Sequence, residues 1–173
     1  MTPTQKQKVR AAITAYCNEA EANRLKWYYA QVRPFHGFGT PANAFHVADC
    51  SAYVSLAFNH AALVNRVHLA DPLGENYSGF GYTGTELEFF REHGREVPSS
   101  NPVLVGDCVI FGSEVNTVHT AICKKAGTFS SAVLSSNGHG STIFRLDAPE
   151  PVTLGVAGTQ QHVVGVFRHP ALF

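Results

Sequence analysis

Asp49-Cys50-Ser51-Ala52-Tyr53-Val54 opens an apolar run that continues through Leu56, Ala57, Phe58, Ala61 and Leu63, and its reading decides the fold. Asp49 is a short carboxylate placed where a helix needs an N-cap. A helix from Cys50 to about Asn65 is therefore predicted, with a thiol at its first position. Upstream, Val9, Ile13, Tyr16 and Cys17 recur at helical spacing over residues 4–23, which makes Cys17 a buried small hydrophobe of a first helix. An aromatic segment from Trp27 to Pro34 leads into a Gly/Pro-punctuated loop over residues 35–47, whose His36 and His46 are expected at the surface.

Downstream the period changes. Thr85-Glu86-Leu87-Glu88 reads as a capping box for a short helix ending near Gly94. Residues 103–111, 117–123, 132–135, 141–146 and 162–167 then read as strands separated by Gly, Ser, Asn and Pro. Helices followed by a strand meander predict an α+β fold with a small antiparallel sheet. One catalytic domain is expected, with residues 1–25 as an N-terminal helix and residues 27–169 as the core.

Charged residues make up 15% of the chain, and thirteen basic residues balance thirteen acidic ones. With no Lys/Arg run, nucleic acid is not an expected partner. The polar start and the lack of a long apolar run predict neither a secretory signal nor a membrane segment, so synthesis and folding in a reducing cytosol are expected. Cys17, Cys50, Cys108 and Cys123 are accordingly read as thiols.

The order Cys50, His119, Asn137 offers a nucleophile, a base and an amide to orient the base. A helix N-terminus and a nearby imidazolium would both favour the thiolate, and the N–H groups of Cys50 or Ser51 could hold an oxyanion. His119 shares a strand face with Ala121 and Cys123 by alternation, and reaches the sulfur if that face packs on the Cys50 helix. Ser136 and His139 compete with Asn137 for the third role. Asn137-Gly138 also reads as turn chemistry, and a cysteine at a helix start as packing. Cys108, His119 and Cys123 could supply metal ligands, but no CxxC or HxxxH pair accompanies them, so neither a metal nor a cofactor is expected. The Gly/aromatic segment 76–83 reads either as a wall of the substrate cleft or as a surface loop packed on its own rings.

Three stretches in order resemble motifs of the NlpC/p60 cysteine peptidases, to which the CHAP peptidases are related. Ala48-Asp49-Cys50-Ser51-Ala52-Tyr53-Val54 is similar to their nucleophile motif. Val105-Gly106-Asp107-Cys108-Val109-Ile110-Phe111 resembles their Gly-Asp strand, and His119-Thr120-Ala121-Ile122-Cys123 the strand with the catalytic histidine. Ala52 stands where those proteins usually have Gly, Val105 where they have Pro, and residues 124–131 displace the third catalytic position. The resemblance implies a papain-like α+β core, and cleavage of amide bonds in peptidoglycan stem or cross-bridge peptides. It also implies a tyrosine, Tyr28 or Tyr29, near the oxyanion. The lone catalytic domain resembles that of a phage endolysin or tail-associated hydrolase, made in the cytoplasm and acting on the wall after release or on a phage particle. Acyl or amide transfer of the transglutaminase-like or lecithin:retinol acyltransferase-like type uses the same chemistry, and a non-catalytic binding domain could share the fold.

Overall fold

Thr2 and Gln5 cap each other's backbone N–H groups and Pro3 occupies the first turn, which starts α1 (Pro3–Ala22). The helix buries Val9, Ile13, Tyr16, Cys17 and Ala20 as one stripe. The computed structural model describes residues 1–113, 115–138, 143–144 and 146–173. After α1, a single 3-10 turn leads to β1 (Trp27–Tyr28), which pairs in parallel with β2 (His46–Val47) just ahead of α2 (Cys50–Asn65). From Cys50 to Phe58 every residue of α2 is buried, so this helix lies inside the molecule. A helix apolar on all sides must be covered on all sides.

Then come α3 (Thr83–His93), β3 (Arg95–Glu96), β4 (Cys108–Ser113), β5 (Asn116–Lys125), β6 (Val133–Asn137), β7 (Pro149–Thr153), α4 (Leu154–Gln160) and β8 (Val163–Arg168). Six strands form one antiparallel sheet in the order β3-β8-β4-β5-β6-β7. The fold class is α+β with a papain-like layout, as expected. Alternation divides the sheet residues between two cores. Cys108, Ile110, Ile122 and Phe167 pack with α1, α2 and α3, while Val109, Phe111, Ala121, Cys123, Leu134 and Val166 pack with Ile143, Phe144, Leu154 and Ala157.

Several boundaries differ from expectation. α3 starts two residues before Thr85, whose hydroxyl instead accepts the Tyr82 N–H at 2.7 Å from inside the first turn. Of the expected strand 141–146, residues 141, 142 and 145 lie outside the described residues. Ile143 and Phe144 are both buried rather than alternating, and they fill the second core outside any strand. The strand formed there is β7, whose Pro149 and Pro151 are tolerated because it is the sheet's edge. α4 went unread because Gly155 and Gly158 weaken its helical signature. A Cβ at Gly155 would sit 2.7 Å from the Ser130 carbonyl oxygen. Among the described residues, no helix is long and apolar enough to cross a membrane.

Candidate active site around Cys50

Asp49 caps α2 as predicted. Its Oδ1 accepts the Ala52 N–H at 2.8 Å and the Ser51 hydroxyl at 3.0 Å, and its Oδ2 receives the Arg33 guanidinium at 2.7 Å. Cys50 is therefore the first helical residue, 4% exposed, with Sγ 3.7 Å from the Thr83 hydroxyl oxygen. The thiol is pushed up to about 12, first by burial and then by the charge of Asp49, while the Thr83 hydrogen bond pulls the other way. The sequence predicts a thiolate-favouring helix start. In the fold that start is covered, and the cap itself brings a negative charge beside the sulfur.

His119 stands next to Thr120, but its ring lies across the sheet from Cys50. It pairs across the ladder with Phe111 and touches the Phe111 and Phe144 rings at centroid distances of 6.2 and 4.8 Å, all within the second core. The helix-facing positions of β5 are Thr120 and Ile122, since their partners on β4 are Ile110 and Cys108. Alternation thus placed His119 with Ala121 and Cys123 correctly, yet that face is turned away from α2. Burial lowers the imidazole to about 3, so it is neutral, and its Nε2 has no hydrogen-bond partner.

Asn137 ends β6 fully buried on the Cys50 side. Its Nδ2 donates to the Ala48 carbonyl at 2.7 Å and the Tyr28 carbonyl at 3.5 Å, and its Oδ1 lacks a partner. It ties β6 to the residues leading into Cys50, with no hydrogen bond to His119. Ser136 donates to the Thr120 carbonyl at 2.7 Å, and His139 lies outside the described residues. Tyr28 is exposed and packs on Phe45. Tyr29 is half-buried and its hydroxyl is pushed up to about 12, by burial and then by charge on Cys50 and Asp49. Of the two tyrosines, Tyr29 is therefore the one whose hydroxyl senses the sulfur. The Ser51 hydroxyl is committed to Asp49 and Arg33, which leaves its backbone N–H for the site.

The residues that sequence reasoning missed are Arg33, Thr83, Glu86 and Thr120. Arg33 also donates to the Gly81 carbonyl at 2.6 Å and lies 4.1 Å over the Tyr82 ring, so it fastens the loop before α3 to the start of α2. The one signal for it was a lone cation inside an aromatic segment. Within the loop, Gly79 is required at φ +84, because a Cβ there would meet the Phe35 carbonyl oxygen at 2.3 Å. Phe80 and Tyr82 beside it are about half exposed. His46 is buried rather than at the surface. It stacks on Trp27 at 4.1 Å, and its Nε2 is 3.1 Å from the Pro41 carbonyl oxygen. Cys108 faces the helices while His119 and Cys123 face the other core, so those three do not converge on one point.

Glu86 is fully buried on α3. Its Oε1 accepts the Thr120 hydroxyl at 3.1 Å, its Oε2 is unpartnered, and burial raises its carboxyl to about 8. The folded protein thus holds a proton there that the unfolded chain, at 4.5, releases earlier. That contribution to stability is full below the unfolded value and is lost as pH rises through the folded one. Glu86→Gln keeps the acceptor for Thr120 without the titration. Melts at about pH 5 and about pH 9 are expected to show the variant gaining on the native protein as pH rises. Parallel pH curves would refute the assignment.

No family model matches the chain, and no curated relative matches it. Among solved structures, it is similar to RipB from Mycobacterium tuberculosis, a peptidoglycan hydrolase, with a TM-score of 0.57 at 13% identity. The match covers 98% of this chain and 68% of that one, so the two share a fold over nearly the whole length described here.

Proposed function

We propose that the protein is a cysteine hydrolase that cuts amide bonds in bacterial cell-wall peptides. The observation that carries this reading is the Cys50 thiol at the first residue of the central helix, 3.7 Å from the Thr83 hydroxyl at the start of a second. The fold shared with a peptidoglycan hydrolase supports the substrate class. The state described above is a resting one, with a neutral thiol and a neutral imidazole. For His119 to take the thiol proton, the β5 backbone must turn at the ladder irregularity beside Phe111 and Gly112, carrying the ring from the second core to the Cys50 side of the sheet. The ring N–H could then bond to the unpartnered Asn137 Oδ1, so one movement would satisfy two orphaned polar atoms.

Cys50 then attacks the amide carbon, and the N–H groups at the start of α2, with the Tyr29 hydroxyl, hold the oxyanion. His119 protonates the leaving amine, and water, deprotonated by His119, hydrolyses the thioester. An amine in place of water would give transfer by the same steps. The cut bond is that of a stem or cross-bridge peptide or the N-acetylmuramoyl-L-alanine amide. The setting is a phage-type lysin reaching the wall after release or on a particle.

The placement of the His119 ring favours one other reading, a non-catalytic wall-binding domain on the same fold. Digestion of purified peptidoglycan separates the two. The native protein, beside a sample alkylated with iodoacetamide, is expected to release fragments whose masses name the bond, and alkylation to stop release. Cys50 is the thiol that alkylation should reach first, because the other three cysteines are fully buried. Retention on peptidoglycan without release of fragments from several wall types would select the binding reading.

A further inference from the structure

Two helix starts meet at the Cys50 sulfur. α2 begins at Cys50 itself, and α3 begins at Thr83, whose hydroxyl oxygen lies 3.7 Å from Sγ. The sulfur is the hydroxyl's hydrogen-bond partner among the described residues, so the O–H is free to turn toward it. One turn along α3, Glu86 accepts the Thr120 hydroxyl at 3.1 Å, which ties the start of α3 to the strand facing α2. Arg33 holds this assembly together by joining Gly81, just before α3, to Asp49, just before α2.

We propose that Thr83 is a further catalytic residue, its hydroxyl donating a hydrogen bond to the Cys50 thiolate. The proposal rests on the reading of Cys50 as nucleophile. A neutral thiol can donate or accept, but a thiolate only accepts, so ionisation forces the Thr83 hydroxyl into the donor role. Such charge-assisted bonds are stronger than neutral ones. They are needed here because the charged groups around the sulfur oppose ionisation. Burial and the Asp49 carboxylate at the cap of α2 push the thiol up, and the Tyr29 hydroxyl stays protonated. Arg33 is engaged with Asp49 and is the nearby cation in this network.

The test reads thiol reactivity and needs no wall substrate, so it can fail while the hydrolase reading stands, and the reverse. Iodoacetamide labelling of Cys50, followed by peptide mass spectrometry across a pH series, compares the native protein with Thr83→Val and Thr83→Ser. Valine keeps the shape and removes the hydroxyl; serine keeps the hydroxyl and removes the methyl. Thr83→Val is expected to label roughly ten- to a hundredfold more slowly near neutral pH, with its pH profile displaced upward, and Thr83→Ser to label near the native rate. Native-like labelling in Thr83→Val, or loss in Thr83→Ser matching that in Thr83→Val, would overturn the proposal by making the contact one of shape.

Discussion

A His119→Leu variant is expected to lose wall-cleaving activity, as Cys50→Ala is, while gaining stability. The imidazole sits among Phe111 and Phe144 with Nε2 unpartnered. A buried polar atom without a partner costs about 1–3 kcal/mol, whereas an apolar group of similar size in that place forfeits nothing. Leucine should therefore raise stability by about 1 kcal/mol near neutral pH. The gain should widen in acid. Burial holds the folded imidazole near 3 against 6.5 for the free group, so the native protein loses stability as pH falls below the unfolded value. Leucine has no such titration. Loss of a general base lowers rate by about 10²- to 10⁴-fold. Melts at two pH values and a peptidoglycan digest measure both halves. A variant that still cuts at the native rate would remove His119 from the mechanism, and one that melts lower at neutral pH would mean its ring is structural. Cys50→Ala should cut nothing and show no comparable acid-dependent gain.

The sequence carried α2 in full, because a cap residue and a long apolar run are local signals: Asp49 accepts the Ala52 N–H and the helix runs to Asn65 as read. The strands β4, β5, β6 and β8 were legible as short apolar runs between Gly, Ser, Asn and Pro, which are also local signals, although their ends moved. What could not be read was which sheet face meets which helix. Alternation groups His119 with Ala121 and Cys123, but only the packed fold shows that Thr120 and Ile122 are the residues facing α2. A shift of one residue exchanges the faces, so the side of a strand is a tertiary property. The site shares this limit. Cys50 is legible as a candidate from its local setting, while Arg33, Thr83 and Glu86 come from separate segments that meet only after folding. β7 and α4 were hidden because prolines and glycines, which normally mark breaks, sit there on an edge strand and in a helix of seven residues.

Asp49→Asn is expected to destabilise the protein and yet speed alkylation of Cys50. Asparagine is as good a cap as aspartate, so the start of α2 should survive. The loss falls on Arg33, whose side chain is only 7% exposed and whose Nη2 lies 2.7 Å from the Asp49 carboxylate. Removing one member of a buried ion pair leaves an uncompensated charge and costs about 3–5 kcal/mol. The same substitution removes the negative charge that helps hold the Cys50 thiol high, so the thiolate becomes more accessible at a given pH. Loosening alone would also speed alkylation, and Arg33→Met separates the causes. It breaks the same pair and should destabilise similarly, but it leaves the carboxylate unneutralised beside the sulfur, so the thiol should ionise less readily. Opposite changes in Cys50 labelling at matched loss of melting temperature would place Asp49 in control of the thiol's charge state. Faster labelling in both variants would reduce its role to holding the helix start in place.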